Sequence, residues 1–118
     1  MANPNLINIS SIYGNTAFST VGTSTANVVA NPTGSNSLYK INGLLISNYA
    51  TNSYTISVQI NSSGSNTYVI SNAVVPANAT LTVLGRDNMI YLTENTSIQA
   101  VSNFATAMQA ICSHEILS

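Results

Sequence analysis

The side chains that could support catalysis or bind a metal are few in this chain of 118 residues. They comprise one His, one Cys, three carboxylates, one Lys and one Arg. Cys112 and His114 have the spacing of a thiol–imidazole dyad, because residues two apart in a β-strand share a face. However, a reactive thiolate needs an electropositive, partly exposed site, and a lone Cys is usually a small buried apolar side chain. We therefore expect Cys112 in the core and His114 at its rim.

Two of the three carboxylates, Asp87 and Glu94, fall in segments rich in turn residues. Together with loop carbonyls they could bind Ca²⁺, but calcium sites draw on about six to eight oxygen ligands. We expect both carboxylates to be solvated on turns. The sequence has neither a Cys/His cluster with zinc-site spacing nor a Gly-rich phosphate loop. These features predict a protein that is not an enzyme and that uses no cofactor.

Charged residues make up 4% of the chain, and the net charge is −1. Asn, Ser and Thr replace them, with 17, 17 and 13 copies. Such a chain lacks the basic patch that nucleic acid or an anionic membrane would require. The first residues have neither the basic nor the apolar segment of a secretory signal, and no apolar run reaches about 20 residues, so we expect no signal peptide and no membrane-spanning helix. Because little charge repulsion keeps copies apart, we expect a homo-oligomer that contacts other proteins.

Residues 1–24 are the least regular part of the sequence, yet they are too apolar for an ordinary disordered tail. Either they form an edge strand of the domain, or they form an extended arm that adds to a neighbouring sheet. The residues that we expect to make contacts in the second case are Leu6, Ile7, Ile9, Ile12 and Tyr13.

Residues 25–118 show the two-residue period of strands with one buried face. One strand alternates polar residues with the apolar set Tyr54, Ile56, Val58 and Ile60. Residues 61–66 (NSSGSN) have the Gly and Asn residues of a hairpin turn, and the apolar residues 68–70 complete an antiparallel pair. At Gly43 the alternation slips by one position, which predicts a β-bulge.

Seven or eight such runs, separated by turn residues, predict an all-β domain over residues 25–118. The expected architecture is a single β-sandwich, either immunoglobulin-like or a jelly roll, with residues 1–24 as an arm or edge strand. Residues 103–111 leave an alternative open, because the apolar positions there also have helical spacing. We expect a strand in this segment, since a closing strand near the end of the sequence completes the sheet.

The six tyrosines divide into two groups. Three fall on apolar faces of expected strands and should pack in the core: Tyr39, Tyr54 and Tyr68. The other three are expected at the surface, where a Tyr can anchor a protein interface or stack on a sugar ring: Tyr13, Tyr49 and Tyr91.

Residues 75–100 and 110–118 resemble a family of small β-sandwich virion proteins from tailed phages, notably the T4-like phages of cyanobacteria. The matching elements are Pro76 and Ala77, Leu81 and Val83, Ile90 to Leu92, Glu94, Ser97 and Ile98, Cys112 and Ser113, and Glu115 and Ile116. Residues 8–16 (NISSIYGNT) are also similar to the start of such proteins. The chain departs from the family's usual Gly-Asp at Asn95 and Thr96.

The resemblance implies a virion structural protein without enzymatic activity, assembled in the host cytoplasm. Capsid decoration or cementing is the expected role, with the major capsid protein and neighbouring copies as partners. A neck or tail component, in a fibre or baseplate, is the alternative. A third hypothesis, independent of the resemblance, is a carbohydrate-binding module that binds glycans through Tyr49 or Tyr91.

Overall fold

The alternating apolar and polar residues form nine strands within residues 8–118, the part of the chain that the computed structural model describes. The strands are β1 (Ile12–Val21), β2 (Ala26–Asn31), β3 (Leu38–Asn48), β4 (Tyr54–Ser62), β5 (Ser65–Val75), β6 (Thr80–Leu84), β7 (Ile90–Leu92), β8 (Thr96–Ser102) and β9 (Met108–Leu117). A short 3₁₀ helix, Arg86–Asn88, separates β6 from β7.

The strands form two antiparallel sheets. One has the order β1-β9-β3-β6, and β7 also pairs with β3; the other has the order β2-β8-β4-β5. Because β6 and β7 both pair with β3, at different parts of its length, they act as one interrupted strand. The eight resulting strands pair first with eighth, second with seventh, third with sixth and fourth with fifth. This is the order of a jelly roll and not that of an immunoglobulin domain, so the predicted sandwich is confirmed in its jelly-roll form.

The core lies between the two sheets and consists mainly of aliphatic side chains. The chain has no Trp, and both Phe residues, Phe18 and Phe104, are exposed. Burying each large aliphatic side chain contributes about 1.5–3 kcal/mol, so branched residues on facing strands supply most of the packing energy. The largest fully buried apolar side chains are Ile41, Leu44, Ile46, Ile56, Val58, Val75, Leu92, Ile98 and Met108.

Two local features of the sequence determine backbone geometry as predicted. The β4–β5 hairpin turns through Ser63 and Gly64, whose φ angles of 51° and 90° are both positive, as a two-residue type I′ turn requires. The register of β3 with β9 shifts between Ile41 and Gly43, so the predicted bulge at Gly43 is confirmed. The bulge lets β3 present Ile41 and Leu44 to the same core.

The segment 103–111 contains no helix. Residues 103–107 form a loop and β9 begins at Met108, so only residues 108–111 of this segment form the strand that we expected there. β9 lies between β1 and β3 in the larger sheet, with the side chains of Met108, Ala110 and Cys112 fully buried.

Across the described residues, no helix has the length and hydrophobicity needed to cross a bilayer.

Tyr39 and Tyr54 pack against the core as predicted, but Tyr68 does not. Its side chain is 61% exposed. The β4–β5 register shifts after Val58, and this shift places Tyr68 opposite Gln59, which points away from the core. Directly opposed residues share a face, so Tyr68 follows Gln59 to the surface.

Candidate interaction surface

Cys112 and His114 both point inward from β9, and neither is available for chemistry at the surface. The side chain of Cys112 is fully buried, and this burial raises the pKa of the thiol to about 11. His114 is also buried, which corrects its expected position at the rim. It stacks on Tyr39, with ring centroids 5.5 Å apart, and its Nδ1 has no hydrogen-bond partner among the described residues. A neutral buried thiol is a poor nucleophile, so the pair has no catalytic arrangement.

Glu94 is buried, whereas we expected it to be solvated on a turn. Its carboxylate accepts hydrogen bonds from two backbone groups: the Asn36 N–H at 2.7 Å and the Gly34 N–H at 3.3 Å. These donors replace water and connect the β2–β3 loop to the turn after β7. Asp87 is exposed on the 3₁₀ helix. Within residues 8–118, no three His, Cys, Asp or Glu side chains lie close enough together to hold a metal ion.

Strand β1 exposes three large apolar side chains. Ile12 is 62% exposed, Tyr13 is 65% exposed and Phe18 is 76% exposed. We call these three residues the β1 surface. An edge strand that exposes several large apolar side chains is a candidate for contact with another protein.

Phe18 belongs to an apolar row that crosses the outer face of the larger sheet. Phe18 lies opposite Ile111 of β9, and Ile111 lies opposite Leu45 of β3, so the three side chains form a row across three strands. We call Phe18, Ile111 and Leu45 the outer row. A shallow hollow of about 400 Å³ adjoins it, and no charged residue lines this hollow. Apolar contacts can therefore form here without desolvating a charge.

The outer face of the smaller sheet is different in character. Gln59 Nε2 donates to Gln99 Oε1 at 2.7 Å, and Gln99 Nε2 donates to Asn27 Oδ1 at 3.0 Å. This amide ladder runs across β4, β8 and β2. The polar groups of the ladder are satisfied by one another, and the exposed large apolar side chains of this face, Tyr68 and Val74, lie on its edge strand β5.

The structure places the predicted interaction residues on separate parts of the fold. Leu6 and Ile7 lie outside the described residues. Ile9 is half-buried before β1, where the N–H groups of Ser10 and Ser11 donate to the Ser118 carbonyl. The remaining four are exposed but do not converge on one site: Ile12 and Tyr13 in β1, Tyr49 in the loop after β3, and Tyr91 in β7.

The outer row was not predicted from the sequence. Phe18 follows the two-residue alternation of β1, but alternation alone does not distinguish the outer face from the core face. The absence of a charged residue from the β1 sequence was the available signal.

No protein-family model matches the chain, and no curated protein sequence matches it. Among solved structures, the chain is similar to a protein of the Bacillus endospore appendages, which are disulfide-linked pili: 15% identity, TM-score 0.56, covering 99% of this chain and 92% of that one. It is also similar to a protein of the capsid of Helicobacter pylori bacteriophage KHP30: 14% identity, TM-score 0.50, covering 93% and 90%. At these identities, the likeness shows the fold alone.

A third similar structure is a pentameric capsid protein isolated from metagenomic phage sequences. It is 21% identical with a TM-score of 0.46, and the match covers 92% of this chain and 63% of that one. The two chains share no more than a loose likeness of shape.

Proposed function

We propose that the chain is a non-enzymatic structural protein of a phage virion and that it decorates the capsid shell. The observation that carries the proposal is the exposure of Ile12, Tyr13 and Phe18 on one strand of a domain with a net charge of −1. The resemblance to small virion proteins of tailed phages, including those of T4-like cyanobacterial phages, supports the phage assignment. A fold shared with a protein of a phage capsid agrees with it.

The two outer faces of the sandwich suggest its orientation on a shell. The outer row is apolar, whereas the amide ladder on the opposite face is polar and internally hydrogen-bonded. Burying apolar surface contributes about 25 cal/mol per Å². The larger sheet therefore faces the major capsid protein in our proposal, and the amide ladder faces solvent. Binding to the native shell then stabilises it by mass action.

The N-terminal residues supply a second contact in this proposal. Leu6, Ile7 and Ile9 precede β1 and carry more apolar surface than a solvated linker needs. We assign them to an arm that binds a neighbouring subunit, in the manner of strand addition. Ile12 and Tyr13 belong to β1 itself, so the arm ends before residue 12.

A disulfide-linked filament, such as the Bacillus endospore appendages, is disfavoured by the position of the thiol. Cys112 is the one Cys of the chain, and its side chain is fully buried. A disulfide to another subunit would require β9 to leave the centre of its sheet. Assembly by noncovalent contacts is therefore the better fit.

The role in the particle is tested by mass spectrometry and cryo-electron microscopy of purified virions that carry this gene. Hundreds of copies on the shell are expected for a decoration protein. Tens of copies at one vertex or on the tail would instead identify the neck or tail alternative. Absence from the particle would overturn the proposal.

The orientation is tested by adding purified protein to shells that lack it. Leu45→Lys places a charge in the outer row and should reduce the number of bound copies at least about tenfold. Gln99→Lys makes a matched change on the opposite face and should bind as the unchanged protein does. Equal binding by both variants would refute the assigned orientation.

Glycan binding is a weaker alternative, because the exposed side chains of Tyr49 and Tyr91 lie on different elements and form no common platform. A glycan array with the purified domain tests it. Binding that is lost in Tyr49→Ala or Tyr91→Ala would favour a carbohydrate-binding module over a shell protein.

A further inference from the structure

The edge strand of a sheet presents unpaired N–H and C=O groups that can pair with another chain, so the edges of sheets in soluble proteins are usually protected. Three of the four outer edges within residues 8–118 have such protection. β2 has six residues and a register shift after Asn27. β5 has two register shifts, and Asn72 has a φ of 51°. The edge formed by β6 and β7 is interrupted by the 3₁₀ helix that contains Asp87.

β1 has none of these features. It pairs with β9 in ten consecutive positions, from Ile12 opposite Leu117 to Val21 opposite Met108, without a register shift. Its sequence, IYGNTAFSTV, has neither a charged residue nor a Pro. Among the described residues β1 pairs with β9 alone, so its second edge is regular and open to another strand apart from one local bond, in which the Thr16 N–H donates to Asn15 Oδ1 at 2.9 Å.

The β1 sequence is also complementary to itself. Ala17 packs against the core, so Tyr13 lies on the inner side of the strand, whereas Ile12 and Phe18 lie on the outer side. When two copies of β1 run antiparallel about a two-fold axis at Asn15, Ile12 of each copy lies opposite Phe18 of the other. In the same register, Tyr13 lies opposite Ala17. All three exposed apolar side chains of β1 then have apolar partners.

Electrostatic repulsion does not oppose this pairing. The nearest charged residue is Glu115, which lies beside Gly14 on β9 and interacts with Lys40 at 3.8 Å. Two strands of β1 separate the two copies of β9, so the Glu115 side chains of a pair are at least about 14 Å apart, given a spacing of about 4.8 Å between strands. That exceeds the screening length of about 8–10 Å at physiological ionic strength.

We propose that two copies of this chain pair antiparallel along β1 in the register centred on Asn15 and so join their larger sheets into one continuous sheet. A two-fold interface of this kind uses the same strand from both subunits and closes the open edge. The inference rests on the proposed role as an assembly protein, since it identifies the dimer as the unit that binds the shell.

Light scattering during size-exclusion chromatography and sedimentation equilibrium test the proposal on the purified chain. The unchanged protein should be a dimer. Phe18→Lys should raise the dimer dissociation constant at least about tenfold, whereas Val74→Lys, at another position that is more than 60% exposed but lies on the protected strand β5, should leave it unchanged. Equal dissociation constants for both variants, or a monomeric unchanged protein, would overturn the inference.

A double variant tests the register itself. The variant combines Ile12→Lys with Phe18→Glu. In the register centred on Asn15, the Lys of each copy lies opposite the Glu of the other. In a register that places position 12 opposite position 12, or position 18 opposite position 18, like charges face each other. Within one strand the two sites are about 20 Å apart, at about 3.3 Å per residue, so they do not neutralise each other. The double variant should dimerise more tightly than Phe18→Lys does. A monomer would refute this register.

Two further measurements keep the outcome decisive. If Phe18→Lys fails to fold, hydrogen exchange on the unchanged protein replaces it: β1 amides should exchange faster on dilution into the monomer range, and β5 amides should not. Deleting residues 2–7 should leave the dimer intact. Loss of the dimer in that variant alone would assign the edge to the N-terminal arm of a second copy, against our proposal.

The dimer and the virion role fail in different experiments. A monomer that is still incorporated into particles would overturn the pairing and leave the proposed function standing. A dimer that never appears in particles would confirm the pairing and overturn the proposed virion role.

Discussion

Replacing Glu94 with Ala removes the acceptor of two backbone hydrogen bonds inside the fold. The carboxylate is buried and connects the β2–β3 loop to the turn after β7 through the N–H groups of Gly34 and Asn36. Asn31 holds the same loop separately, because its Nδ2 donates to the carbonyl oxygens of Ser37 and Leu92. The loop should therefore stay in place in the variant and leave the two N–H groups poorly satisfied.

The size of the effect follows from the two distances. The bond from Asn36, at 2.7 Å, is short and charge-assisted and should contribute about 2 kcal/mol. The bond from Gly34, at 3.3 Å, is longer and should contribute about 1 kcal/mol. The Ala variant no longer has a buried carboxylate, and the desolvation cost that it avoids offsets part of the combined loss of the two hydrogen bonds. We expect Glu94→Ala to lower the free energy of unfolding by about 2–3 kcal/mol.

Urea unfolding followed by circular dichroism measures this change directly. With an unfolding entropy of about 0.25 kcal/mol/K for a domain of this length, the melting temperature should fall by about 8–12 °C. Glu94→Gln retains one acceptor oxygen and should cost about half as much. Glu115→Gln is the matched control, since Glu115 is half-exposed in an ion pair that should contribute less than about 1 kcal/mol. A loss below about 0.5 kcal/mol in Glu94→Ala would refute the stabilising role of these bonds.

Cys112 should resist alkylation by iodoacetamide in the native protein. Burial raises the pKa of the Cys112 thiol from 9.0 to about 11, so between pH 9 and pH 11 the folded state keeps a proton that the unfolded state loses. The free energy of unfolding should therefore fall by about 1.4 kcal/mol per pH unit in this range, compared with the Cys112→Ala variant. Gly64→Ala should cost about 1 kcal/mol in urea unfolding, because Gly64 has a φ of 90°, and Gly64→Asn should cost less; equal losses would argue against backbone strain. Deleting residues 2–7 should leave the melting temperature within about 2 °C and lower incorporation into particles; a large drop in stability would instead make this segment part of the folded core.

Features that depend on residues close together in the sequence could be predicted from it. Alternation predicted the strands, because one face of each strand is buried along most of its length. The turn at Ser63 and Gly64 and the bulge at Gly43 follow from local backbone preferences. These features do not identify which sheet a strand joins, so the immunoglobulin-like and jelly-roll architectures stayed equivalent until the strand order was known.

Features that depend on pairing between strands far apart in the sequence could not be predicted from it. Tyr68 reaches the surface because of a register shift against β4, and Glu94 is buried because a loop far away in the chain supplies its donors. The outer row has the same origin, since Phe18 and Leu45 both meet Ile111 across the sheet. The apolar character of Ile12 and Tyr13 was visible from their residue types, but their place on an open edge required the full topology.

The central position of β9 has a consequence for how the protein is made. Both β1 and β3 pair with Met108–Leu117, so neither can complete its hydrogen bonding until that segment has left the ribosome. Sheets built from such distant partners close slowly, and nascent chains meanwhile expose unpaired strands to one another. The smaller sheet does not contain β9 and can pair earlier, whereas the larger sheet should close only after the segment up to Leu117 has left the ribosome.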